Sequence, residues 1–188
     1  SRMSSNLNSS FQRQGGFFSA MSRKMFGGEN FFLGKYEHPD GGKLTFAPSI
    51  PGHVEHRQLT NNSLNTMAGG FLACTPGVNI KAKFGGLKAL FSGEGAFLLE
   101  ASGTGDLFFN SFGGIVEKQI NGEFIVDTGH VVAFDPSLDY KITGMGNFKS
   151  TMLSGEGLVM KFTGNGKLYL QTRNVSSIAS WLTPRLLG

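Results

Sequence analysis

Phe91-Ser92-Gly93-Glu94-Gly95-Ala96-Phe97-Leu98-Leu99 is the stretch on which the reading of this chain turns, because it occurs three times. Its first copy is Phe26-Gly27-Gly28-Glu29-Asn30-Phe31-Phe32-Leu33, and its third is Leu153-Ser154-Gly155-Glu156-Gly157-Leu158-Val159-Met160. The glutamates recur at positions 29, 94 and 156. An interval of about 60 to 65 residues is a structural repeat, to be read before any local feature.

Outward from each glutamate the surroundings repeat too. Before the first lies Phe17-Phe18-Ser19-Ala20-Met21-Ser22-Arg23-Lys24-Met25-Phe26, with apolar residues at helical spacing and Gly27-Gly28 to end the turn. Gly86-Leu87-Lys88-Ala89-Leu90-Phe91 and Asn147-Phe148-Lys149-Ser150-Thr151-Met152-Leu153 fill the same slot, so three short helices are expected. After each glutamate the pattern reads as a hairpin. Turns are expected at His38-Pro39-Asp40-Gly41-Gly42, at Ser102-Gly103-Thr104-Gly105 and at Gly164-Asn165-Gly166, since glycine supplies the positive φ of a tight turn. The two Gly-x-Gly runs lack the third glycine and following helix of a phosphate-binding loop.

A second half-repeat aligns Gly69-Gly70-Phe71-Leu72-Ala73-Cys74-Thr75-Pro76-Gly77-Val78 with Gly129-His130-Val131-Val132-Ala133-Phe134-Asp135-Pro136-Ser137-Leu138. Each is strand, proline turn, strand. Upstream, Asn121-Gly122 between alternating segments reads as a further hairpin turn. The first copy of this half retains only its end, at Ser5-Asn6-Leu7-Asn8-Ser9, so the chain begins inside its first repeat. The expected division is 1–57 (first repeat, short at its front), 58–114 (second), 115–173 (third) and 174–188, a helical tail. In the tail, Asn174 or Ser176 caps an amphipathic helix running to Leu182 ahead of Pro184, with Trp181 docking on the body or on a neighbour and a membrane contact as the alternative.

At 188 residues the chain is long enough to bury a core without staples. Its net charge of +4 is diffuse, so no nucleic-acid partner is expected. No apolar run is long enough for a membrane-spanning helix, and no signal peptide is legible. The single cysteine, Cys74, forms no intramolecular disulfide and reads as a buried, inert thiol.

The search for chemistry finds no nucleophile elbow. His53 and His56 lie in a strand-like stretch, where residues three apart face opposite sides, against a metal site. His130 reads as a packed or turn residue outside the repeat. Glu29, Glu94 and Glu156, recurring round a pseudo-threefold, are placed to accept backbone N–H bonds where each hairpin begins; a shared cation is the sharper alternative. No catalytic, cofactor or metal residue is assigned. The candidate interaction face is Phe17, Phe18, Lys24, Leu87, Lys88, Leu90, Phe148, Lys149 and Met152, basic and apolar-tipped, suited to subunit packing, a protein partner or an anionic membrane surface.

Lys24-Met25-Phe26-Gly27-Gly28-Glu29-Asn30-Phe31-Phe32, Thr45-Phe46-Ala47-Pro48-Ser49-Ile50-Pro51-Gly52, Val126-Asp127-Thr128-Gly129-His130-Val131-Val132-Ala133-Phe134 and Leu153-Ser154-Gly155-Glu156-Gly157 resemble the family named for altered inheritance of mitochondria, the mitochondrial-biogenesis family, over nearly the whole chain. The resemblance implies a fold similar to the tryptophan RNA-binding attenuation protein. No residue matches that protein's tryptophan or RNA sites. It also implies no enzymatic activity, and a location that is cytoplasmic in a bacterium or at the mitochondrial inner membrane in a eukaryote.

The expected fold is therefore all-β: three tandem TRAP-like double-stranded β-helix or β-sandwich repeats with short connecting helices and a C-terminal helix. The expected function is a non-enzymatic scaffold or interaction protein without cofactor; a small-ligand-binding β-module is the alternative. Because the first repeat lacks its opening strands, Phe31, Phe32, Leu44 and Phe46 are expected to be under-covered. The chain is then a fragment or, with that gap covered by another copy, a homo-oligomer, dimer or trimer.

Overall fold

The computed structural model describes residues 2–3, 8–13, 32–37, 39–40, 43–84, 97–144 and 158–186. Twelve strands and one α-helix are described: β1 (Arg2–Met3), β2 (Asn8–Arg13), β3 (Phe32–Glu37), β4 (Leu44–Thr45), β5 (Val54–Met67), β6 (Phe71–Cys74), β7 (Val78–Phe84), β8 (Phe97–Asn110), β9 (Ile115–Asp127), β10 (Val131–Phe134), β11 (Leu138–Gly144), β12 (Leu158–Gln171) and α1 (Val175–Leu186). The class is all-β. The three short helices expected ahead of the glutamates, and Glu29, Glu94 and Glu156 themselves, lie outside the described residues.

Elements run in the same order through β5–β8 and through β9–β12. A long strand leads through one 3-10 turn, at Ala68–Gly70 or Thr128–His130, into a four-residue strand. A proline turn and a seven-residue strand follow, and then a second long strand. The two long strands pair antiparallel along their whole length: β5 with β8 from Val54↔Asn110 to Met67↔Leu98, and β9 with β12 from Ile115↔Gln171 to Asp127↔Val159. The other edge of β8 is shared between β7 and β6, and that of β12 between β11 and β10.

This pairing corrects three of the expected turns and one expected hairpin. Ser102–Gly105 and Gly164–Gly166 lie in the middle of the 14-residue strands β8 and β12. Asn121-Gly122 lies within β9, opposite Asn165 and Gly164. Around Pro39-Asp40 the chain does turn, but β3 and β4 do not form a hairpin with each other: β3 pairs with β2, and β4 with β1.

Gly103 and Gly164 serve close approach instead of chain reversal. The turn Thr75-Pro76-Gly77 folds across β8, and a Cβ on Gly103 would lie 2.2 Å from the Gly77 carbonyl oxygen. In the same way the turn at Asp135-Pro136-Ser137 crosses β12, and a Cβ on Gly164 would lie 2.8 Å from the Ser137 carbonyl oxygen. Both crossings are pinned alike. Asp106 N–H donates to Thr75 Oγ1 at 2.7 Å, and Lys167 N–H to Asp135 Oδ2 at 2.8 Å. Only a residue without a side chain lets another backbone pass this near a strand.

Alternation builds two cores. Leu59, Leu64, Leu99, Ala101, Leu107 and Phe109 of β5 and β8 point inward into one cluster, with Val78 and Ile80 of β7. Met160, Phe162 and Leu168 of β12 fill the other, with Phe134, Leu138 and Ile120; Phe134 meets Phe162 edge-on at 5.1 Å. The wall between the cores is β10 and the end of β12. Val131 and Phe134 face one cluster while Val132 and Ala133 face the other, so all four residues of β10 are buried. Leu168 and Tyr169 divide the same way.

The tail departs from expectation in two respects. Asn174 does cap the helix, its Oδ1 accepting from the N–H and hydroxyl of Ser176. The helix then continues through Pro184 to Leu186, where expectation ended it before the proline. Near a C-terminus the proline forfeits one backbone bond, and Thr183 Oγ1 reaches back to the Ala179 carbonyl at 2.7 Å. Trp181 is not docked on the body: it is 59% exposed.

Candidate interaction site

Phe17, Phe18, Lys24, Leu87, Lys88, Leu90, Phe148, Lys149 and Met152 all lie outside the described residues, and the structure brings none of them together or apart. What it does define is a junction between β-units and an open copy of that junction.

At the junction β10 adds to the end of β5, with Ala133 opposite Thr66 and Phe134 opposite Asn65. Thus β10 has hydrogen-bonded neighbours on both edges, β12 and β5. β6 holds the corresponding place in its own unit, with Ala73 opposite Phe108 and Cys74 opposite Leu107. Its only sheet neighbour among the described residues is β8, and all four of its residues are half-buried. Among the described residues β6 thus has one sheet neighbour where β10 has two. The counterpart of Asn65 in β9 is Ile125, and it is 55% exposed. Phe46, one of the residues expected to be under-covered, is 41% exposed and meets Tyr36 edge-on; Leu44 is half-buried. Phe31 lies outside the described residues, as does the side chain of Phe32.

A polar cluster ties the joined units. Arg57 on β5 donates to the Tyr169 hydroxyl at 2.8 Å and stands 3.1 Å from Asp135 Oδ1, which has no well-directed hydrogen bond of its own. The attraction there is between charges at a partly buried site. Glu117 and Lys167 pair at 2.7 Å beside it. The Lys167 hydrogen bond holds the Glu117 carboxyl below its ordinary range, and burial pushes the Tyr169 phenol up. His56 and Asp106 form the matching cross-strand pair in the preceding unit, at 2.8 Å with the imidazole stacked on Phe108. Sequence reading missed this cluster because its members stand up to 112 residues apart, with Arg57 in one unit and Asp135 and Tyr169 in another.

Other candidates settle simply. His53 and His56 engage different carboxylates, Glu55 and Asp106. His130 ends a 3-10 turn and bonds the Gln171 carbonyl through Nδ1 at 2.7 Å. Cys74 is half-buried where full burial was expected; the burial it has pushes its thiol up. Among the described residues no three His, Cys, Asp or Glu side chains gather to hold a metal ion. No helix among them is long and apolar enough to cross a membrane, which says nothing of strands.

Comparison places this architecture among known proteins. A crystal structure of a Streptococcus pyogenes protein superposes with a TM-score of 0.80 at 29% identity, over 98% of this chain and 84% of that one. An uncharacterized protein of Streptococcus pyogenes serotype M6 is 32% identical over 183 residues, which span 96% of this chain and 74% of the relative. The model of the mitochondrial biogenesis AIM24 family matches residues 1–173, and the chain belongs to that family.

Proposed function

We propose that this protein is a non-enzymatic scaffold that assembles by adding strands between β-units, within the chain and between copies of it. The observation that carries this reading is the contrast, among the described residues, between β10, paired on both edges and buried, and β6, paired on one edge and half-exposed. An unpaired strand edge recruits another strand. The register needed already exists in the molecule, at Ala133↔Thr66 and Phe134↔Asn65.

The same reading takes the chain as three TRAP-like units. In its support, β1 and β2 pair with β4 and β3 as β6 and β7 pair with the two halves of β8. The expected assembly is a closed dimer or trimer, because homo-oligomers favour closed cyclic symmetry. The bacterial relatives support a cytoplasmic site of action.

The test is native mass spectrometry of the full 188-residue chain and of Leu72→Lys. Leu72 occupies on β6 the place of Val132 on β10. A charge pointing into a strand-edge interface blocks pairing, as natural edge strands do. The wild-type chain is expected as a dimer or trimer and L72K as a folded monomer. A wild-type monomer that resists concentration, or an oligomer unchanged by L72K, overturns the reading.

A further inference from the structure

Helix α1 carries a face that none of the described residues covers. Val175, Ile178, Leu182 and Leu186 recur on one side, with Trp181 at its border, and no residue of the helix is buried. Leu186 is 70% exposed. The opposite side is Ser176, Ser177, Ser180 and Thr183, polar without charge. The root of the helix is fixed all the same: Asn174 is buried, caps the first turn and sits against Gly129.

Charge selects among occupants. No Asp or Glu follows Glu156 in the sequence. Lys161 and Lys167 are engaged by Glu123 and Glu117, but Arg173 and Arg185, which bracket the helix, form no ion pair among the described residues. Both guanidinium groups lie over aromatic rings, Arg185 at 4.2 Å from the Trp181 centroid and Arg173 at 5.9 Å from that of Phe112. A protein groove that reads a helix generally sets register through charged rim contacts, and the single charged residue of α1, Arg185, is folded back over Trp181. A bilayer needs only an apolar sector, an aromatic residue at the boundary and cations near the headgroups.

We propose that α1 lies on the surface of an anionic lipid bilayer, with Val175, Ile178, Leu182 and Leu186 in the acyl boundary and Trp181 and Arg185 at headgroup level. The proposal stands on α1 alone and not on the open edge of β6.

The test is flotation of the full chain with vesicles of phosphatidylcholine and phosphatidylglycerol, three to one, beside the double variant W181S/L182S. Far-UV circular dichroism and a thermal melt follow both proteins. The wild-type chain is expected to float and the variant to lose at least about tenfold in partition, with an unchanged melt, because no residue of α1 is buried. Three results overturn the proposal: a wild-type chain that does not float, a variant that floats as well, or a variant whose melt falls or whose native mass changes. The last would mean that α1 docks on the body or on a second copy.

Discussion

Replacing Gly103 by alanine tests why the glycines are where they are. In the structure Gly103 has φ +125°, and an added Cβ meets the Gly77 carbonyl oxygen at 2.2 Å. The positive φ costs a residue with a side chain about 1–3 kcal/mol. Relieving the contact then requires the Thr75–Gly77 turn to retreat by roughly 1 Å, which breaks the hydrogen bond from Thr104 N–H to that oxygen, worth about 1 kcal/mol. The total is about 2–4 kcal/mol, or a fall of roughly 4–16 °C in Tm for a chain of this size. Two other glycines separate the contributions. Gly122 has φ +107° but nothing within 4 Å of its Cβ position, so Gly122→Ala loses only the strain. Gly69 has neither positive φ nor a near neighbour, so Gly69→Ala is neutral or stabilises by about 0.4–1 kcal/mol. Urea unfolding of the three variants gives the order directly. Equal losses at Gly103 and Gly122, as two hairpin turns would show, refute the close-approach account.

Thr66 is fully buried at the β5–β10 junction and its hydroxyl has no partner among the described residues, so Thr66→Val, nearly the same shape, is expected to stabilise by about 1–2 kcal/mol in urea titration; destabilisation would mean that the hydroxyl is satisfied. Burial pushes the Tyr169 and Tyr140 phenols above the ordinary 10.0. A folded-state pKa raised above the unfolded one contributes stability below pH 10 that is lost as pH rises through the folded value. Lys167, raised chiefly by its hydrogen bond with Glu117, acts in the same direction. Tyr169→Phe should therefore flatten the alkaline decline seen in melts above pH 10, though not remove it; an unchanged slope would place the loss elsewhere.

The all-β class was legible because alternating apolar segments rich in Phe, Val, Ile and Leu, bounded by glycine and proline, recur along the chain. The proline turns at Pro76 and Pro136 were legible too, since proline and a small residue leave few alternatives between apolar segments. Strand continuity was not. Gly103, Gly105 and Gly164 supply the same positive φ whether a chain reverses or another backbone crosses it, and nothing local separates the two. Asn121-Gly122 failed likewise: a turn signal was overridden by 13 consecutive pairings with β12. Among candidate sites, His53 lies just ahead of β5, so the strand alternation expected to separate it from His56 does not reach it. The Arg57–Asp135–Tyr169 cluster depends on β10 crossing to β5, a topological fact that no spacing in the sequence carries.

The most direct measurement on the scaffold reading is amide hydrogen exchange, followed by mass spectrometry, over peptides containing Phe71–Cys74 and Val131–Phe134, at high and low protein concentration. β10, bonded on both edges within the chain, should stay protected at either concentration. β6 should exchange quickly when dilute and become protected when concentrated, as a strand from another copy fills its edge. Equal, concentration-independent protection of the two strands would contradict the account.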